Sequence, residues 1–153
     1  MSFNTQNGTR GARQPGGVLL RLVNNLFTRR IRKRGKLTGD SHGLVLTVIG
    51  RKSGERRSTP LMWFPADDGS RLIVASAAGA RRNPGWYYNI AENPDRVQIE
   101  IGGRTIPVTA VQLHGEEREA AWRVITADSA RFAKYQQQTD RELPVIRLTE
   151  RST

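Results

Sequence analysis

Arg96-Val97-Gln98-Ile99-Glu100-Ile101-Gly102-Gly103-Arg104-Thr105-Ile106-Pro107-Val108-Thr109-Ala110-Val111-Gln112 decides the fold class. Apolar residues alternate on either side of a Gly-Gly pair, which signals a two-residue β-hairpin. Pairing across that turn sets Ile101 opposite Arg104, Ile99 opposite Ile106 and Val97 opposite Val108, so the apolar side chains gather on one face. The register is self-consistent. Strands joined this tightly are antiparallel, which excludes doubly wound parallel folds that need helical crossovers.

Working outward, β-rich runs at 44–49, 57–64 and 71–76 precede the hairpin strands at 96–101 and 104–112. Residues 50–55 link the first two runs, and Asp67-Asp68-Gly69-Ser70 links the next pair. Asn83-Pro84 predicts the N-cap and first residue of a short helix to about residue 92, stopped by Asn93-Pro94. A later helix starts near Gly115, with Glu116, Glu117 and Glu119 at its positive end and Ala120, Ala121, Val124 and Ile125 on its apolar side. A last strand covers 144–148. The pattern, α+β but mainly β, predicts a small antiparallel barrel with flanking helices.

The 153 residues, 37% of them hydrophobic, suit a single domain. Cysteine is absent and only His42 and His114 are present, so thiol chemistry is excluded and no metal-ligand spacing occurs. Neither a dinucleotide fingerprint nor a P-loop signature is found. The net charge is +11, yet residues 1–36 hold nine of the 25 basic side chains and no acid, which leaves 16 basic against 14 acidic residues in the body. Residues 1–17, rich in Gly, Asn, Gln and Arg, are expected to form a disordered basic lead-in. Within residues 18–36, Val18, Leu19, Leu22, Val23, Leu26, Phe27 and Ile31 recur at helical spacing against a cationic flank. Two roles stay open for this amphipathic helix: docking on the domain at 37–153, or lying on an anionic membrane surface. No run is long enough to span a bilayer and no secretory leader is recognisable, so a soluble cytoplasmic protein, peripheral to the membrane's inner face in the second case, is expected.

Three segments can carry chemistry. Gly50-Arg51-Lys52-Ser53-Gly54-Glu55-Arg56-Arg57 is a tight turn with two glycines and four cations, suited to a phosphate or carboxylate through Arg51, Lys52, Ser53 and Arg57. A solvated basic hairpin is the plain alternative. Residues 75–89 pass from the small Ala75 and Ser76 into a helix opening with Trp86, Tyr87 and Tyr88, where a flat ligand can approach backbone and stack. Core packing would also explain those aromatics. In Phe132-Ala133-Lys134-Tyr135-Gln136, Tyr135 is either a proton donor, a pocket wall or a structural tyrosine.

The runs T-V-I-G-R-K-S-G-E-R-R-S-T-P-L at 47–61, A-S at 75–76, N-P-G-W-Y-Y-N at 83–89, E-N-P at 92–94 and Y-Q-Q-Q-T-D-R-E-L-P-V-I at 135–146 together resemble the deazaflavin-dependent nitroreductase family over roughly residues 18–148. That resemblance implies a split β-barrel of the FMN-binding type and the 8-hydroxy-5-deazaflavin cofactor, coenzyme F420. It also implies hydride transfer from the reduced cofactor to a quinone, nitroaromatic or unsaturated ketone. Arg51, Lys52, Ser53, Gly54 and Arg57 match the loop that holds the cofactor's anionic tail. Pro60, Leu61, Met62, Ala75, Ser76, Trp86, Tyr87 and Asn89 match positions around the ring. Met62, Ser76, Trp86, Phe132 and Tyr135 are the candidates for binding the acceptor, with Ser76 and Tyr135 as the hydrogen-bond donors to its oxygen.

Two departures stand out. Nitroimidazole-activating members carry three tyrosines where this chain has Ser129, Phe132 and Tyr135, so nitroimidazole reduction does not follow. Ala77 replaces a basic residue of some relatives, so one tail contact is either absent or supplied by Arg81 or Arg82. The rival readings are a small basic barrel binding single-stranded nucleic acid and a membrane-surface protein without catalysis. Against the first, the charge sits in the N-terminal segment and the strands lack interleaved basic and aromatic positions. The acceptor is expected to be a small molecule with no nucleic-acid partner, and self-association as a homodimer through exposed strands stays open.

Overall fold

A computed structural model describes residues 3–37 and 41–151. Residues 1, 2, 38–40, 152 and 153, at the margins of the segments expected above, lie outside the described residues. Seven strands form one antiparallel sheet: β1 (Gly43–Ile49), β2 (Arg56–Met62), β3 (Phe64–Pro65), β4 (Arg71–Val74), β5 (Val97–Ile101), β6 (Arg104–Gln112) and β7 (Val145–Glu150). Their order is β2-β1-β5-β6-β7-β4-β3, a curled half-barrel. The hairpin register is the expected one, with Val97 on Val108, Ile99 on Ile106 and Ile101 on Arg104. Gly102 and Gly103 both take positive φ, 54° and 85°, as the tight hairpin turn requires.

The run expected as one strand over 57–64 is two. β2 stops at Met62, the Trp63 N–H donates to the His42 carbonyl, and Phe64 then pairs with Leu72 of β4. This break carries the chain from one edge of the sheet to the other.

Strand alternation sorts the core into two layers. Leu44, Leu46, Val48, Ile73, Val97, Ile99, Ile106, Val108, Ala110, Ile146 and Leu148 fill one face, covered by Tyr87 and Ile90 of helix α2 (Gly85–Glu92). On the other face, Leu72, Val74 and Val145 pack with Ala121 and Ile125 of α3 (Gly115–Asp128) and Phe132 of α4 (Ala130–Gln138). Each fully buried Leu or Ile contributes ~1.5–3 kcal/mol relative to exposure, so both faces of the sheet help hold the fold together. A second helix before the last strand was not expected. Ser129, with φ −141° and ψ 102°, interrupts the helical path and separates α3 from α4.

Helix α1 (Gly17–Arg34) docks by one side only. Ile31 is fully buried, its side chain lies where a Cβ on Gly43 would stand, and Arg32 makes a bidentate pair with Glu100 at 3.1 Å. Leu20, Val23, Asn24, Phe27 and Thr28 continue this half-buried side. The expected apolar face is therefore divided: Val18, Leu19, Leu22 and Leu26 remain 71, 75, 57 and 64% exposed. A helix with apolar residues on more than one side can give the sheet only one of them.

The segment expected to be a disordered lead-in is corrected for the described residues 3–16. Phe3 packs edge-on against Tyr87, with ring centroids 5.8 Å apart. The Thr5 N–H donates to the Tyr87 hydroxyl, Gly8 N–H to the Arg81 carbonyl and Ala12 N–H to the Gly79 carbonyl. Thr9 and Arg10 donate backbone N–H groups to Asp140 at 2.8 and 3.2 Å. Polar hydrogen bonds to the body, supported by one aromatic contact, replace the apolar content the segment lacks.

Candidate functional site

Two recesses meet at Gly85, the first residue of α2. The smaller, about 270 Å³, is lined by Gly50, Arg51, Lys52, Ser53, Arg57, Gly85 and Asn89, three of them cations and none an acid. The turn owes its shape to two hydrogen bonds, Gly50 N–H to the Glu55 carbonyl and Gly54 N–H to the Gly50 carbonyl, at 2.7 and 2.8 Å. Gly50 has no room for a side chain, because a Cβ there would stand 2.7 Å from Ser53 Oγ and 3.1 Å from Arg57 Nε. Gly54, with φ 73°, shapes the turn and is not part of the recess wall. The backbone N–H groups of Gly50, Arg51 and Gly54 already donate within the protein, so the turn offers an anion mainly its side chains. Ser53 Oγ accepts from the Glu55 N–H and keeps its own proton to donate.

Arg51 joins this turn to α2. Its backbone N–H and its guanidinium both donate to Asn89 Oδ1, and the guanidinium lies 5.3 Å from the Tyr88 ring centre. Lys52 and Arg57 supply the remaining positive charge.

The larger recess, about 470 Å³, is lined from the barrel by Thr59, Pro60, Leu61, Val74, Ser76, Ala77, Ala78, Pro84, Gly85 and Trp86. Its remaining wall comes from Gln14 and Pro15 of the N-terminal segment and from Leu20 and Asn24 of α1. The edge at residues 76–80 is a short 3-10 turn in which Ala77 and Ala78 take φ 45° and 54°. Each such left-handed alanine costs ~1–2 kcal/mol, so surrounding contacts must hold it.

These contacts come from Arg141, 2% exposed. All five of its N–H donors are used: Nε to the Ala80 carbonyl, one terminal nitrogen to the Ala75 carbonyl and Asn83 Oδ1, the other to the Ser76 and Ala80 carbonyls, at 2.7–3.2 Å. Burial pushes the guanidinium's pKa down, opposed by the Tyr88 and Tyr87 hydroxyls. Its neighbour Asp140 turns the other way, and the hydroxyl of Thr9 with the N–H groups of Arg10 and Thr9 holds the carboxyl down to about 2. Asn83, expected to cap α2, is drawn instead onto Arg141 and donates to the Thr5 carbonyl, so Pro84 takes the cap position without a side-chain bond.

Of the residues singled out by sequence, Arg51, Lys52, Ser53, Arg57 and Asn89 come together in the cationic recess, and Pro60, Leu61, Ser76 and Trp86 in the larger one. The structure places the others elsewhere. Ala75 is fully buried and gives its carbonyl to Arg141. Tyr87 is a core residue whose hydroxyl donates to Gln112 Oε1. Met62 and Tyr135 are half-buried against the second core layer, and Phe132 packs edge-on between Phe64 and Tyr135. Ser76 is thus the one proposed donor that lines the recess, while Tyr135 does not. Arg81 and Arg82 lie outside both linings, so neither replaces the basic residue absent at Ala77 there.

Sequence reasoning missed the wall from Gln14, Pro15, Leu20 and Asn24, and the role of Arg141. For Arg141 a signal existed: a lone cation between Thr139 and the apolar run Leu143-Pro144-Val145-Ile146. The wall left no periodic trace.

The fold is a split barrel whose cationic recess and larger, partly apolar recess share Gly85. The family model of the F420H(2)-dependent quinone reductases matches residues 19–150, and the chain belongs to that family. Among its relatives, the F420H(2)-dependent quinone reductase Rv1261c of Mycobacterium tuberculosis is 36% identical over 143 residues, 91% of this chain and 95% of that one. The putative F420H(2)-dependent quinone reductase Rv3178 of the same organism is 39% identical over 108 residues, 71% of this chain and 89% of that one. A solved F420-H2 dependent reductase superposes with TM-score 0.63 at 37% identity, covering 69% of this chain and 92% of that one. The chain is therefore an F420-dependent reductase, with coenzyme F420 as its cofactor and quinones as the family's acceptor class.

Proposed function

We propose that the chain reduces a quinone by hydride transfer from reduced coenzyme F420, with the cofactor's tail on the cationic turn and its ring in the larger recess. The meeting of the two recesses at Gly85 carries this reading, because their chemistry matches a phosphodiester and carboxylate tail joined to a flat ring. When bound, the cofactor supplies the hydride from its C5 carbon. Arg51, Lys52, Ser53 and Arg57 bind the anionic tail. Pro60, Leu61 and Trp86 offer apolar surface to the ring and, with Leu20 of α1, exclude water. Ser76 donates its hydroxyl proton in a hydrogen bond to the acceptor oxygen as that atom gains charge. Nitroaromatics and unsaturated ketones are the further acceptor classes this geometry accommodates, since no other acid or base in the recess is required for them.

Membrane association belongs to the same reading. The exposed stripe of Val18, Leu19, Leu22 and Leu26 continues into Arg29, Arg30 and Lys33, the composition of a helix that lies on anionic lipid. The opposite side of that helix borders the larger recess through Leu20 and Asn24, which favours an acceptor arriving from the lipid. No helix among the described residues is long and apolar enough to cross a membrane. Self-association is supported by the exposed edge strand β2. A 32% identical solved chain, covering 85% of this one and 92% of its own length with TM-score 0.65, is described as a domain-swapped dimer.

The direct test is a tryptophan-fluorescence titration with oxidised coenzyme F420, in parallel with FMN. Micromolar or tighter binding of F420, weakened in Lys52→Ala and Arg57→Ala, is the expected result. Failure of F420 to bind, or wild-type affinity in both variants, overturns the placement.

A further inference from the structure

Among the described residues Arg141 is a buried cation without a counter-ion. Carbonyls of Ala75, Ser76 and Ala80 and the Asn83 amide oxygen satisfy its donors, but these dipoles carry no net charge. The nearby acids are committed elsewhere: Asp140 accepts from Thr9 and Arg10, and Glu142 faces Arg118 at 3.8 Å. From α2 the neighbouring titratable groups are the hydroxyls of Tyr87 and Tyr88, bonded to Gln112 and Asn7. The charged residues of the N-terminal segment, the 76–83 loop and α4 are further cations, Arg10, Arg13, Arg81, Arg82, Arg131 and Lys134, and α4 also carries the Tyr135 hydroxyl. A guanidinium whose only partners are neutral costs desolvation with no ion-pair return, an arrangement retained where the charge or the geometry it fixes has a use.

We propose that Arg141 is a positioning residue of the ring site: it holds the left-handed Ala77-Ala78 edge of the larger recess and sets a fixed positive charge behind Ser76 that favours an anionic form of whatever ring lies there. Its contact with the recess is direct at one remove, since the nitrogen that donates to the Ser76 carbonyl at 2.8 Å holds the backbone of a residue lining it. Ordinary core packing would be served equally by an apolar side chain of similar volume, whereas five-fold chelation of one loop specifies its conformation. The inference rests on the ring placement proposed above, and extends it from where the ring lies to which charge state the protein prefers.

The test reads the acidity of the deazaflavin's 8-hydroxyl, whose ionisation changes its absorbance, for the free cofactor and for cofactor bound to the full chain. In wild type the bound hydroxyl is expected to be roughly tenfold more acidic than in Arg141→Met. Arg141→Lys keeps the charge and loses the fork, so acidity is retained while affinity falls. Asn83→Asp is decisive even where Arg141→Met does not fold, because it keeps the Oδ1 acceptor of the chelate and sets a carboxylate against the guanidinium, giving up only the amide's bonds to the Thr5 carbonyl and the Tyr88 hydroxyl. The charge is then neutralised, and acidity is expected to fall toward that of Arg141→Met. A bound hydroxyl of equal acidity in wild type and Asn83→Asp overturns the inference and leaves the ring placement standing. Absence of F420 binding to wild type removes the placement and the inference with it.

Discussion

The side-chain oxygen of Asn89, buried on α2, accepts from both the backbone N–H and the guanidinium of Arg51, at 3.1 and 2.9 Å, and so ties the cationic turn to the helix that starts between the two recesses. Two donors on one buried acceptor fix the turn's distance from α2. Asn89→Ala is expected to cost about 1–3 kcal/mol of stability and to weaken F420 binding several-fold, since Arg51 is freed to reorient. Chemical denaturation and fluorescence titration measure the two effects. Unchanged affinity alongside lost stability would show that the turn needs no anchor.

If the tail is bound by charge, its affinity should fall as ionic strength rises, because an exposed cationic recess is screened beyond ~8–10 Å. Lys52→Ala and Arg57→Ala should each weaken binding by about tenfold at low salt and flatten the salt dependence. The same substitutions should leave thermal stability nearly unaltered. A salt-independent affinity in wild type would count against the cationic turn as the tail's site.

The N-terminal segment is pinned by Asp140. Because its folded pKa of about 2 lies below the ordinary 3.8, its stabilising contribution is present above 3.8 and is lost as pH falls through about 2. A carboxyl-carbon NMR titration should put its midpoint near the lower value. Asp140→Asn should speed amide exchange at Thr9 and Arg10 at neutral pH while exchange in β6 is unaffected. A midpoint near 3.8 would mean that the Thr9 contacts do not persist in solution.

The exposed stripe of α1 makes its own forecast. Leu22→Glu with Leu26→Glu is expected to abolish sedimentation with phosphatidylglycerol vesicles without lowering the unfolding midpoint, since both residues are already in solvent. Vesicles of phosphatidylcholine alone should bind the wild type weakly. Equal sedimentation of wild type and variant would rule the stripe out as the lipid-facing surface.

Much of the barrel could be read directly from the chain. The register of the 96–112 hairpin was legible because alternation and the Gly-Gly turn act over neighbouring positions, and the cationic composition of 50–57 was equally local. Strand 57–64 was misread as continuous because the break at Trp63 follows from a switch of partners, from β1 to β4, that no local pattern records. The acceptor residues were the weakest part. The segment 132–136 offers Tyr135 as a proton donor, a pocket wall or a structural tyrosine, and the closed fold turns both Phe132 and Tyr135 toward the second core layer.

The sequence by itself determined the antiparallel class, the hairpin register, the basic helix and the two chemically distinct segments that become the recesses. Each rests on short-range physics: side-chain alternation, backbone freedom at glycine and clustered charge. Only the tertiary structure decided that residues 3–16 would lie across the body, that α1 would give one side to the recess wall and leave another in solvent, and that Arg141 would gather the loop 75–83. Those relationships join groups far apart along the chain, through hydrogen bonds to polar groups for residues 3–16 and Arg141 and through buried Ile31 and the Arg32–Glu100 pair for α1, and no local sequence pattern records such pairings.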